Sequence, residues 1–191
     1  MKALLLIDIQ NDFLPGGALA VQKGDLVIPI ANQLMGKFKH VIASQDWHPK
    51  DHSSFKTTWP VHCVQGSHGA EFPETLHTDR IEKVIKKGEH KEVDSYSAFF
   101  DNDHQTETEL LEYLREQKID ALFVMGLATD YCVKFTVLDA LDQGFKVYVI
   151  TDGCQGVNVG RGDAEKALKK MRQKGAKLVH SSDSRFSRPQ V

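Results

Sequence analysis

The chain has 191 residues, 41% of them apolar and 26% charged, and its 24 Lys and Arg against 26 Asp and Glu leave a formal net charge of −2. These figures exclude a disordered, collagen-like or membrane-embedded chain, and the near-neutral balance supplies no field to draw nucleic acid or anionic lipid. A chain of this length hides roughly 70% of its unfolded surface, enough for one core without staples, so residues 1–191 are expected to form a single domain.

Taken in chain order, residues 3–9 read as a buried strand, and 26–38 as a helix with Ile30, Leu34 and Phe38 on a four-residue spacing. A strand over 40–44 leads into an excursion over 46–80, rich in His, Ser, Thr, Pro and Gly, with little periodicity. Residues 81–87 read as a further strand. Helices are then expected over 106–117, 130–143 and 163–174, the last ending at Gly175, alternating with strands over 121–125, 146–150 and 176–179. Residues 181–191 look like a polar tail. Strands apolar on both faces, alternating with amphipathic helices, predict an α/β fold: a doubly wound, mainly parallel six-stranded sheet with helices on both faces. A long irregular excursion inside such a domain is usually functional.

Three cysteines, Cys63, Cys132 and Cys154, lack C-x-x-C spacing. That argues against a disulfide framework or zinc ribbon and for a reducing, cytoplasmic setting. The apolar run 3–7 is shorter than a signal-peptide core and is interrupted by Asp8, and no run approaches membrane-spanning length. Among nine histidines, His48, His52, His62 and His68 crowd into the excursion beside Asp46 and Asp51. One carboxylate and several imidazoles suit zinc, iron or manganese; the same pattern also describes a polar loop with surface histidines, and spacing alone leaves both readings open.

In sheets of this kind reactive residues collect beyond the carboxyl ends of strands, where Asp8, Asp46, Lys87 and Cys132 all fall. Cys132, at a strand-to-helix transition, is expected in a first helical turn, where the positive dipole end favours a thiolate; the alternative is a buried cysteine acting as a small apolar residue. Asp8 suits a proton acceptor or a turn cap. Lys87 suits a charge that favours both thiolate and carboxylate, or a solvated surface lysine. Phe13, Trp59 and Tyr96 lie in loops and could wall a pocket for a flat ring or pack in the core.

Several blocks carry a more specific signal: Leu6-Ile7-Asp8-Ile9-Gln10-Asn11-Asp12-Phe13, Asp46-Trp47-His48, Trp59-Pro60-Val61-His62-Cys63, Lys87-Gly88, Asp94-Ser95-Tyr96-Ser97-Ala98-Phe99 and Gly126-Leu127-Ala128-Thr129-Asp130-Tyr131-Cys132-Val133. Together, over residues 2–182, the sequence resembles the isochorismatase-like cysteine hydrolases and, through its metal and Trp-Pro-x-His-Cys blocks, their nicotinamidase (pyrazinamidase) branch. The resemblance implies an amidohydrolase that converts nicotinamide to nicotinate and ammonia for NAD salvage, using a thioester on cysteine and one divalent metal ion, zinc before iron or manganese. By matching position it implies Asp8, Lys87 and Cys132 as catalytic triad and backbone N–H groups of Ala128 and Cys132 as oxyanion hole. Asp46, His48, His52 and His62 would be metal ligands, with Phe13, Trp59 and Tyr96 binding substrate. It also implies a homo-oligomer and a cis peptide between Ala128 and Thr129.

Overall fold

The computed structural model describes residues 1–186. Six strands, β1 (Lys2–Ile7), β2 (His40–Asp46), β3 (Lys83–Lys87), β4 (Ala121–Leu127), β5 (Lys146–Gln155) and β6 (Lys177–Val179), form one sheet in the order β3-β2-β1-β4-β5-β6. Every pairing is parallel. The helices are α1 (Val27–Met35), the short α2 (Ser54–Thr57), α3 (Leu110–Glu116), α4 (Lys134–Asp142) and α5 (Asp163–Gln173). The chain steps outward from β1 to β2 and β3, then restarts at β4 on the other side of β1 and steps the opposite way. Right-handed crossovers therefore put α1 on one face and α3, α4 and α5 on the other. β1 is central, and Ala3 to Ile7 are sealed from solvent, each Leu or Ile contributing about 1.5–3 kcal/mol by burial.

The boundaries depart from the sequence expectation for local reasons. The helix expected from residue 106 begins at Leu110, because the preceding residues pair elsewhere: Asp101 N–H donates to the Thr106 carbonyl at 3.0 Å and Thr108 N–H to that of Phe99 at 2.9 Å. The Thr108 hydroxyl then accepts from Leu110 N–H at 3.2 Å as the helix starts. The helix expected from residue 130 starts at Lys134, since Thr129–Val133 form a wider π-type turn. β5 runs past its apolar stretch to Gln155 through an irregularity in register opposite Val124 and Gly126. The tail expected to be polar from residue 181 turns back at Ser184–Phe186, where Phe186 is buried against Phe38 and Phe123 at ring distances of 6.1 and 5.5 Å. Its residues 187–191 lie outside the described chain. No described helix is long and apolar enough to cross a membrane.

Candidate active site

β1 and β4 are neighbours from which the chain order diverges, so the crevice beyond their carboxyl ends is the switch point where ligands bind in such sheets. Asp8 leaves β1 there and Ala128 to Cys132 leave β4. On the other side of β1, β2 ends at Asp46 and β3 at Lys87, and these two residues are register partners. Four reactive residues far apart in the chain thus meet at one edge of the sheet.

Lys87 is at their centre, its side chain fully buried. An ammonium has three N–H bonds, and Nζ meets hydrogen-bond geometry with Asp46 Oδ1, with the Ser95 carbonyl at 2.9 Å and with Cys132 Sγ at 3.5 Å. Asp8 Oδ2 is the fourth neighbour, ion-paired to Nζ at 2.9 Å. Burial pulls the Lys87 pKa down, but the Asp46 and Asp8 carboxylates outweigh it and hold the ammonium well above its ordinary range. Burial opposes ionisation of Asp46 too, yet Lys87 and then His48 keep its carboxyl far below the usual carboxylate range. Asp8, with weaker compensation, is pushed up by burial against the pull of Lys87.

Burial also pushes the Cys132 thiol well above its ordinary range, and Lys87 does not offset it. The expected place in a first α-helical turn is corrected. Cys132 lies in the π-type turn before α4, where desolvation pushes its thiol up more than Lys87 draws it down. The cis peptide lies one bond earlier than expected, between Leu127 and Ala128.

The excursion supplies a second cluster. Asp46 Oδ2 lies 3.6 Å from His48 Nε2 and 3.9 Å from His62 Nε2, and the three donor atoms fall within 4.8 Å of one another. A tetrahedral ion with bonds of about 2.1 Å spaces its donors by about 3.4 Å. The opposite ring nitrogens point at backbone carbonyls, His48 Nδ1 at Gly88 (2.9 Å) and His62 Nδ1 at Pro60 (2.8 Å). Donation there leaves both Nε2 lone pairs facing the shared point. Phe55 packs edge-on against His48, His52 and His62 at 5.4–5.7 Å. Gly88 is required beside them: its φ is +66°, and a Cβ would run into the His48 ring. The residues present therefore fit a divalent metal.

His52 packs on His48 at 4.2 Å between ring centroids, with Nε2 3.2 Å from the Val93 carbonyl, and forms a second three-donor group with His48 and Asp94. His68 and Asp51, neighbours of the ligand candidates in sequence, are exposed and paired with Glu71 and Lys91 instead.

Phe13, Trp59 and Tyr96 all reach one cavity of about 30 Å³, whose lining includes Asp46, His62, Ala128 and Cys132. Trp59 Nε1 donates to the Tyr96 hydroxyl at 3.2 Å across it. The sequence reading missed Leu19, Val21, Asp94, Tyr131 and Val157 in this lining. Val157 follows the carboxyl end of β5, where the switch-point rule already directs attention; Leu19 and Val21 carry no comparable signal.

The isochorismatase domain model matches residues 2–183. The chain belongs to the isochorismatase family. Within the family it is 50% identical over 204 residues to the nicotinamidase of Escherichia coli, covering 95% of this chain and 96% of that one. PnC1 from L. infantum, solved in complex with nicotinate, superposes with a TM-score of 0.91 at 38% identity, covering 95% of this chain and 93% of its own. The pyrazinamidase of Pyrococcus horikoshii, solved in complex with zinc, matches at a TM-score of 0.82 and 39% identity, covering 94% and 98%. The recognition and fold expected from the motifs both hold: this isochorismatase-family chain lies on the nicotinamidase branch.

Proposed function

We propose that the chain is a nicotinamidase that hydrolyses nicotinamide to nicotinate and ammonia through a thioester on Cys132. The observation that carries this reading is that Cys132, whose sulfur lies against the buried Lys87 and Asp8 pair, lines the same aromatic-walled cavity as Asp46 and His62 of the donor group. The likeness to nicotinamidases along the whole chain supports the substrate. A cavity of about 30 Å³ has room for a water or two, so the pyridine ring enters by parting Trp59 from Tyr96 and lies against Phe13.

Asp8 Oδ2 takes the thiol proton as Sγ attacks the amide carbon. Its role follows from two features: it is the Asp8 oxygen that faces Lys87 and is not taken by the Ser44 hydroxyl, and burial has raised its proton affinity. Backbone N–H groups of Ala128 and Cys132 receive the oxyanion, each worth on the order of 3 kcal/mol by analogy with other acyl-transfer sites. Protonated Asp8 then delivers its proton to the departing nitrogen, so the leaving group is ammonia and never the amide anion. Water, deprotonated by Asp8, attacks the thioester and releases nicotinate, and the proton returns to sulfur. Lys87 remains charged throughout and stabilises the developing sulfur anion. Asp46, His48 and His62, with His52 as fourth ligand once its Nε2 leaves the Val93 carbonyl, would hold one divalent ion, with zinc suited to the donor set. When bound, the ion supplies an electrophilic point that anchors and orients the ring nitrogen.

Purified protein should release ammonia and nicotinate in equal amounts from nicotinamide, and Cys132→Ala, with an unchanged circular dichroism spectrum, should release neither. Turnover of other small amides without turnover of nicotinamide would overturn the substrate; turnover retained by Cys132→Ala would overturn the nucleophile.

A further inference from the structure

β2 is buried along its whole length, and within it Ser44 is a hydroxyl with no solvent contact. A buried hydroxyl in an interior strand needs partners, and the partner of Ser44 is Asp8, just past the end of the neighbouring strand β1. Its Oγ donates to Asp8 Oδ1 at 2.6 Å and accepts from Asp8 N–H at 3.3 Å. One side chain thus grips both the backbone and the carboxylate of Asp8. That residue needs holding, because its φ of +47° is a left-handed conformation that residues other than glycine adopt reluctantly.

The grip also makes the two carboxylate oxygens unequal. Oδ1 is occupied by the Ser44 proton, while Oδ2 faces Lys87 at 2.9 Å. Without Ser44 the carboxylate is free to rotate and present both oxygens to the ammonium, a tighter ion pair that draws the lone pair away from sulfur. We propose that Ser44 is a positioning residue for the reaction: it fixes the Asp8 carboxylate so that Oδ2 is the oxygen that takes the Cys132 proton. This rests on the reading of Asp8 as the base for Cys132, and it adds a residue outside the triad and the donor cluster.

The test reads Cys132 directly. Ser44→Ala, Ser44→Thr, Asp8→Asn and the Asp8→Asn/Ser44→Ala double variant are treated with iodoacetamide at neutral pH, and the Cys132 adduct is followed by peptide mass. Nicotinamide turnover and metal content of the metal-loaded proteins are measured alongside. Ser44→Ala should slow alkylation and lower kcat about 10-fold or more, with KM and metal content within twofold of the parent. Ser44→Thr, which keeps the hydroxyl, should recover most of the loss, and Ser44→Ala should change nothing further once Asp8 is Asn. Should Ser44→Ala not fold, Ser44→Cys, nearly the same shape with a poor donor, carries the same comparison. Parental alkylation and kcat in Ser44→Ala, or a loss that persists in the Asp8→Asn background or tracks loss of metal, would overturn the proposal. Alkylation needs no substrate, so a protein inactive on nicotinamide but sensitive at Ser44 separates failure of the substrate assignment from failure of this one.

Discussion

Replacing Lys87 by Met, a side chain of similar length without charge, isolates the energetics of the centre of the site. Lys87 and Asp8 are fully buried and Asp46 is 5% exposed at its side chain. At an effective dielectric of about 20, a unit pair separated by 2.9 Å interacts by roughly 6 kcal/mol, and breaking a buried pair by removing one member typically costs about 3–5 kcal/mol. Two carboxylates here share one ammonium, so Lys87→Met leaves both uncompensated. We expect a loss of about 3–5 kcal/mol at pH 7, which for this size corresponds to a melting temperature lower by about 6–20 °C. Urea unfolding of chelator-treated protein measures it.

The pH dependence has a definite sign. Asp46 has a depressed pKa in the folded parent, so its contribution is present above the unfolded value and is lost only as pH falls through the folded one. Asp8 has a raised pKa, so its ionised form opposes folding above the unfolded value and that penalty fades as pH falls. Without Lys87 both carboxyls follow the Asp8 pattern and take up protons on folding. The gap between parent and Lys87→Met should therefore narrow as pH is lowered from 7 to 5. A gap under 1 kcal/mol at pH 7, or one independent of pH, would refute the claim that Lys87 neutralises two buried carboxylates. Asp46→Asn in the Lys87→Met background should recover part of the loss, because one uncompensated charge is gone.

Chelation, or His48→Ala, should raise KM for nicotinamide far more than it slows hydrolysis of a benzamide-type substrate lacking the ring nitrogen; equal losses on both would place the metal at the chemistry instead of at the ring. Gly88→Ala should weaken zinc binding at least 10-fold by calorimetric titration and destabilise the protein by about 1–2 kcal/mol, since it combines a strained positive φ with a clash against His48. Wild-type zinc affinity in that variant would show that the His48 ring adapts.

Asp8, Asp46, Lys87 and Cys132 were legible because each follows an apolar run, and strand ends are where an α/β sheet displays its chemistry. The contribution of Ser44 was not, because a serine in a run of buried residues reads as a neutral filler until the strand beside it is known. Likewise the burial of Cys132 was not legible: a nearby lysine and a helix start draw the thiol pKa down, while desolvation, known only from the fold, pushes it up.

Local periodicity therefore determined the alternation of strands and helices, and with it the fold class, because hydrophobic spacing records which face of each element is buried. Which strands are neighbours depends on pairings between segments tens of residues apart, and no local pattern encodes them. The order β3-β2-β1-β4-β5-β6 brings Asp46 and Lys87 into register. Through that adjacency Asp46 faces Lys87 with one oxygen and His48 and His62 with the other. The joining of the Lys87-centred cluster and the Asp46, His48 and His62 donor group through one carboxylate was decided by the tertiary structure alone.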